Sequence, residues 1–296
     1  MPAAVHNLLD RFQLFRVPSL PPLILQELSS PSHLPALLEE DVYLFAKVLG
    51  SFRQQGEGVR FNANALLAAV GENKVEELIS QTALQNSFAA ITSLRLNFFK
   101  LHWRQSFLGR VLARELAQNL KIDNVEQAAF AGQFLNIGEL VLEGLFSEQY
   151  RLLHESVNSE AQQVAAEIDR LGFSHAEIGA ELLRRWGLNS FICDAVHYHQ
   201  EGLEQVLDAS NLVKVCWLAN LMSSRPATSG PVYAAGESLF GLERDQLVDI
   251  HTSALKQLHE KAEELRIIFS SEIRLPLQGE LPSEIAKQDE SLELEL

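Results

Sequence analysis

The residues of this 296-residue chain with the widest chemical range near neutral pH are its nine histidines: His6, His33, His102, His154, His175, His197, His199, His251 and His259. Imidazole titrates between pH 5 and 8 and ligates divalent metals, so acid–base or metal chemistry would start there. Spacing decides which of them can act together. His197 and His199 are two apart, which on a helix places them about 160° apart. They therefore cannot both ligate one metal without distorting the helix. His175 precedes Glu177 and Glu181, which are four apart and share a helix face. These three could hold a cation, but Arg184 and Arg185 follow one turn later, and charge pairing on a solvated face is the simpler expectation. Known chemical signatures are missing: there is no HExxH, no GxxxxGK[ST], no GxGxxG and no GxSxG. The two cysteines, Cys193 and Cys216, form no CxxC, which excludes zinc ribbons, thioredoxin-type motifs and a disulfide framework.

The elements that must position these groups are helical. Apolar residues recur with a 3.6-residue period and almost nowhere alternate as in a strand. A short helix is expected after Pro21 and Pro22, carrying Leu23 and Leu28, and a second series runs Leu34, Leu37, Leu38, Val42, Phe45, Leu49 and Phe52. Asn62 can cap a helix that Gly71 stops. Long stretches follow over 74–97 and 103–120, and Asp123 opens the next helix. A turn at Asn136–Gly138 leads into Leu140, Val141 and Leu145. Ser174 starts a helix that Gly187 ends, Asn189 starts one reaching His199, and another covers 203–222. The last runs over 243–269 with Leu247, Ile250, Ala254, Leu258 and Leu265 on its apolar face. That face is expected to close the domain; a partner or dimer contact is the sharper alternative. Trp103 and Trp186 are expected in the core.

Composition sets the class. Apolar residues make up 47% and charged residues 21%, enough to bury a core. With 39 acids against 24 bases the net charge is −15, which argues against binding a nucleic-acid backbone or an anionic membrane. The N-terminus lacks a basic segment ahead of an apolar run, and no apolar run approaches the 18 residues of a membrane helix. A cytoplasmic, reduced, soluble protein is expected. Residues 223–231 read as a surface loop, and the stretch from Pro276, with six acids and one lysine, as a disordered acidic tail.

Three segments change the weight given to the histidines: HWRQSFLGRVLARELAQNL from His102, AAFAGQFLNIGELVL from Ala128, and FSHAEIGAELLRRWGLNSFICDAVHYHQ from Phe173. With LPPLILQEL and NANALLAAVGENKVEELI before them, their order and wording resemble the HDOD family, a degenerate relative of HD-type metal phosphohydrolases. The likeness covers about Pro18 to Met222. It implies an all-α, multi-helix HD-like domain with an extra N-terminal helical bundle and a C-terminal closing helix. The expected division is 1–17 extension, 18–222 HDOD-like domain, 223–270 C-terminal loop and helices, and 271–296 tail.

HD-type enzymes hold one or two divalent metals with an early His, a His-Asp pair and a late Asp. The metal activates water on a phosphoester. By the resemblance, the early His falls at Gln105, the pair at Leu135 and Asn136, and the late Asp near Asn220. All four are changed. A Leu side chain has no donor, and a neutral amide is a far weaker ligand than a carboxylate. His102, a residue three before Gln105, lies about 60° from it around the helix and is a poor substitute. Glu139 stands where the family often has a Lys. His175, His197 and His199 remain, either lining the remnant cleft with Gln105, Asn136 and Asn220, or holding helices together through hydrogen bonds.

The resemblance implies a non-catalytic signalling module acting through protein contacts, with no cofactor and no metal. The partner proteins are unknown, the acidic charge suits basic ones, and a homodimer stays open. Two alternatives stand beside it: a divergent metal phosphohydrolase or phosphodiesterase with relocated ligands, and a sensor of a nucleotide or other small ligand in the old cleft.

Overall fold

The computed structural model describes residues 8–10, 34–51, 63–79, 93–157 and 159–264. The helix expected over Leu23–Leu28 and the acidic tail lie outside the described residues. In chain order the helices are α1 (Leu34–Glu40), α2 (Val42–Ser51), α3 (Ala63–Val70), α4 (Ser93–Asn119), α5 (Val125–Gln133), α6 (Ile137–Phe146) and α7 (Glu148–Glu155). They continue as α8 (Glu160–Leu171), α9 (His175–Arg185), α10 (Ser190–Tyr198), α11 (Leu203–Val206), α12 (Asn211–Ser224), α13 (Gly230–Phe240) and α14 (Arg244–Glu264). The fold is all-α, and no strand occurs among the described residues.

Local chemistry explains most boundaries. Ser174 and Glu177 form a reciprocal capping box at the start of α9. Asn189 accepts the Ile192 N–H at 3.1 Å to cap α10. Gly71 and Gly187 take positive φ after their helices, as a residue with no Cβ allows. Several boundaries differ from the sequence reading, and the loop expected over 223–231 narrows to 225–229 between α12 and α13. The apolar series from Leu34 is broken at Asp41, whose Oδ1 accepts the N–H groups of Tyr43 and Leu44 at 2.9 and 3.1 Å and starts a second helix. The stretch over 203–222 is two helices, because Ser210 caps α12 at Val213. Residues 93–102 run without a break into 103–119 in the long α4.

The 27-residue α4 is the axis on which α5, α12 and α14 pack. It meets α5 at a glycine crossing. A Cβ on Gly109 would overlap the Gly132 carbonyl, and one on Gly132 would overlap the Gly109 carbonyl. A second close approach joins α6 to α9, where a Cβ on Gly138 would overlap the His175 carbonyl. This contact brings the N-terminal ends of both helices, with Asn136 and His175, to one place. Phe45, Phe130 and Phe134 fill the seam among α2, α5 and the start of α6, with ring centroids 4.7–5.6 Å apart. Trp103 is buried and Trp186 packs against the core. On α14, Leu247, Ile250, Ala254 and Leu258 are buried, so that face closes the chain on itself. No helix among the described residues is long and apolar enough to cross a membrane.

Candidate functional site

His175 opens α9, and its environment comes from a helix the sequence reading did not anticipate. Helix α8 turns Gln163 and Glu167 inward while Ile168 stands 52% exposed. Glu167 is fully buried, and its carboxylate accepts the His175 backbone N–H at 2.7 Å and the ring Nδ1–H at 2.8 Å. A carboxylate here also meets the positive end of α9. Tyr150 donates its hydroxyl to Glu167 Oε1 at 2.7 Å. Gln163 Nε2 lies 2.8 Å from Glu139 Oε1 and 3.1 Å from Glu167 Oε1 and donates to both.

On its other side His175 Nε2 lies 3.3 Å from Nε2 of His199, the residue that ends α10. The protons can be placed. His199 Nδ1 is 2.6 Å from the Val196 carbonyl, which only accepts, so Nδ1 carries the hydrogen. His199 Nε2 is then an acceptor, and His175 donates to it. His175 thus has protons on both nitrogens and is an imidazolium. Its pKa agrees. Burial alone would lower it, but the charge and hydrogen bonds of Glu167, with Glu139 and Glu160 beyond, push it up to about 9. Burial would raise Glu167, and the His175 charge outweighs that, holding the carboxyl at about 2. His199 is driven down to about 3, first by burial and then by the His175 charge.

Asn136 stands at the head of α6, and its carboxamide is 3.1 Å from the same His199 Nε2. With its NH₂ turned to the ring, this amide shares the single Nε2 lone pair with the His175 N–H. The Asn136 carbonyl accepts from His102 Nε2 at 2.8 Å. Asn220, on α12, lies 3.3 Å from Glu160 Oε2 and 3.5 Å from the His199 carbonyl, and donates to both. Glu160 is raised to about 7, chiefly by burial and against the His175 charge.

The structure therefore brings Asn136, His175, His199 and Asn220 together, and adds Glu139, Tyr150, Glu160, Gln163 and Glu167. Other residues of the sequence reading lie elsewhere. His197 is half-buried, with its ring 4.8 Å from Tyr198. Leu135 is 2% exposed in the apolar core. Gln105 is half-buried and its Oε1 has no partner. Glu177 is spent on the capping box, and Glu181 pairs with Arg184 and Arg185. The signal that could have found α8 is the polar spacing Glu160, Gln163, Glu167 after the cap residue Ser159, an i, i+3, i+7 face.

These groups do not fit a divalent metal. Leu135 offers no donor, the Asn136 and Asn220 amides are engaged, and both His175 nitrogens carry protons. No group of three or more His, Cys, Asp or Glu that could hold a metal ion occurs among the described residues.

Residues 20–202 match the family model of the HDOD domain, well over half of the chain. The chain belongs to the HDOD family. Among solved structures, this HDOD protein is similar to the MmoQ response regulator of Methylococcus capsulatus. The identity is 18%, the TM-score is 0.63, and the match covers 84% of this chain and 95% of that one. It is also similar to a virulence factor of Campylobacter jejuni, at 17% identity and a TM-score of 0.55, covering 83% and 98%. At these identities the likeness is one of fold, the HD-like all-α fold. No match was found among curated proteins.

Proposed function

We propose that this HDOD protein is a non-catalytic regulatory module of a signalling circuit, working in the cytoplasm through contacts with protein partners. One observation carries the reading: the cleft's two histidines and two amides, His175, His199, Asn136 and Asn220, are each hydrogen-bonded to a neighbour. His175 bonds Glu167 and His199, His199 bonds Val196 and Asn136, and Asn220 bonds Glu160. Such a network fixes α6, α8, α9 and α10 in one arrangement and leaves no lone pair of His175 or His199 for a metal or a proton-transfer step. The net charge of −15 favours basic partners. Purified protein is expected to contain well below one equivalent of transition metal per chain. It is also expected not to turn over generic phosphodiesters or cyclic dinucleotides with Mn²⁺ or Mg²⁺. Turnover that disappears in His175→Ala would overturn the proposal.

The small-ligand reading keeps one observation. His102 Nδ1, Glu139 Oε2 and Gln105 Oε1 are buried acceptors without a partner. A ligand that satisfied them would raise the thermal midpoint, so a nucleotide panel read by thermal shift distinguishes the two readings.

A further inference from the structure

Five of the described arginines are held in ion pairs with carboxylates. Arg110 pairs with Glu39, Arg114 with Glu126, Arg151 with Glu143, Arg184 with Glu181 and Arg185 with Asp10. Arg104, on α4, is only 4% exposed, yet its Nε and Nη2 have no hydrogen-bond partner. Among the described residues no carboxylate acts on it: its pKa falls to about 10 through burial, so the guanidinium stays charged at neutral pH. The titratable group in electrostatic reach is His251 on α14, which feels the Arg104 charge. His251 cannot compensate it. Burial drives its imidazole down to about 4, and its Nδ1 already accepts the Ala227 N–H at 3.3 Å. Arg104 lies roughly 160° around α4 from His102, so it faces away from the His175 cluster.

A buried charge with no partner is expensive, and proteins keep one chiefly where something else neutralises it. A guanidinium is planar and always charged, and it offers paired N–H groups that match two oxygens of one anion. We propose that Arg104 is the anchor of a buried oxyanion site at the junction of α4 and α14, taking a carboxylate or phosphate group through Nε and Nη2. The site is separate from the His175 cluster and does not depend on the regulatory reading above.

The probe is inorganic phosphate, with acetate as the carboxylate arm and chloride at equal ionic strength as reference. Full-length protein is followed by thermal unfolding. The wild-type midpoint is expected to rise saturably with phosphate or acetate, by roughly 3–6 °C at tenfold excess over Kd. The response vanishes in Arg104→Met and persists in Arg114→Met, which removes an equal charge from a paired site. A larger response to one anion identifies the source. Without added anion, Arg104→Met is expected to unfold no earlier than wild type, because an apolar side chain of similar length replaces an uncompensated charge. The proposal is overturned if neither anion shifts the wild type, if Arg104→Met responds equally, or if Arg104→Met is strongly destabilised in anion-free buffer. Calorimetric titration of wild type with phosphate and acetate keeps the test decisive should the variant not fold, since heat absent with both would rule the site out.

Discussion

Two regions of the interior are similarly buried and differently made. The seam among α2, α5 and the start of α6 is closed by Phe45, Phe130 and Phe134 ring on ring. The junction of α6, α8, α9 and α10 is closed by Glu167, His175, His199 and Asn136, each hydrogen-bonded to the next. The first region is held by contact area, which is graded: lost volume costs in proportion. The second is held by paired charge and directed hydrogen bonds, which is closer to all-or-none, because one removed partner leaves another buried and unpaired.

The largest break should come from Glu167→Gln. It leaves the His175 imidazolium without a counter-charge, and a loss of about 3–5 kcal/mol is expected in denaturant unfolding. Leu112→Met, at a fully buried position of α4 in the apolar core, should cost less than about 1.5 kcal/mol. Glu167→Met combined with His175→Phe should recover much of what Glu167→Gln loses. A double variant as unstable as the sum of its singles would remove the contrast.

The next effect is pH dependence. His175 titrates at about 9 in the folded chain against about 6.5 when unfolded, so its contribution is complete below pH 6.5 and fades as pH rises through 9. The loss is on the order of 2–3 kcal/mol across that window. Lys47, lowered to about 8 by burial, acts in the opposite direction over part of the window. The slope is therefore read as the difference between wild type and His175→Gln, and equal slopes would show that His175 is not held charged. Glu167, held at about 2, contributes above its unfolded value and loses that contribution only as pH falls toward 2.

Gly132→Ala tests the apolar side by backbone contact. The added methyl meets the Gly109 carbonyl, and a loss of about 1–3 kcal/mol is expected in the same unfolding assay. The smallest effect belongs to the rim of the polar region. Ser174→Ala removes half of the α9 capping box and should cost about 1 kcal/mol, without changing the His175 pH slope.

The all-α class and the helices around His175 were legible in the sequence because caps and glycines are local signals. Ser174, Asn189, Gly71 and Gly187 act within a few residues of themselves. The four altered ligand positions came from the resemblance, and the chain's membership in the HDOD family accords with it. Helix α8 was not legible because its polarity is inverted. Reading apolar residues as inward-facing points Ile168 at the core and Glu167 at water, and the structure does the reverse. Asn136 and His199 meet across 63 residues of chain, and no spacing rule reaches that far. That Glu167 would be the partner of His175 could not be seen without α8. Gln105, placed by the resemblance in the cleft, has no bond to the cluster because its own helix turns His102 there instead.

The glycine crossing of α4 and α5 has a mechanical consequence. Most helix pairs are separated by a layer of side chains whose torsions can absorb a small slide. Here the Gly109 and Gly132 backbones touch directly, so no such cushion lies between the two helices at that point. A displacement of the long rod formed by α4 is therefore handed to α5 without slack. The two behave as crossed beams bolted at one pivot, with freedom to turn about the bolt and little freedom to slip along it.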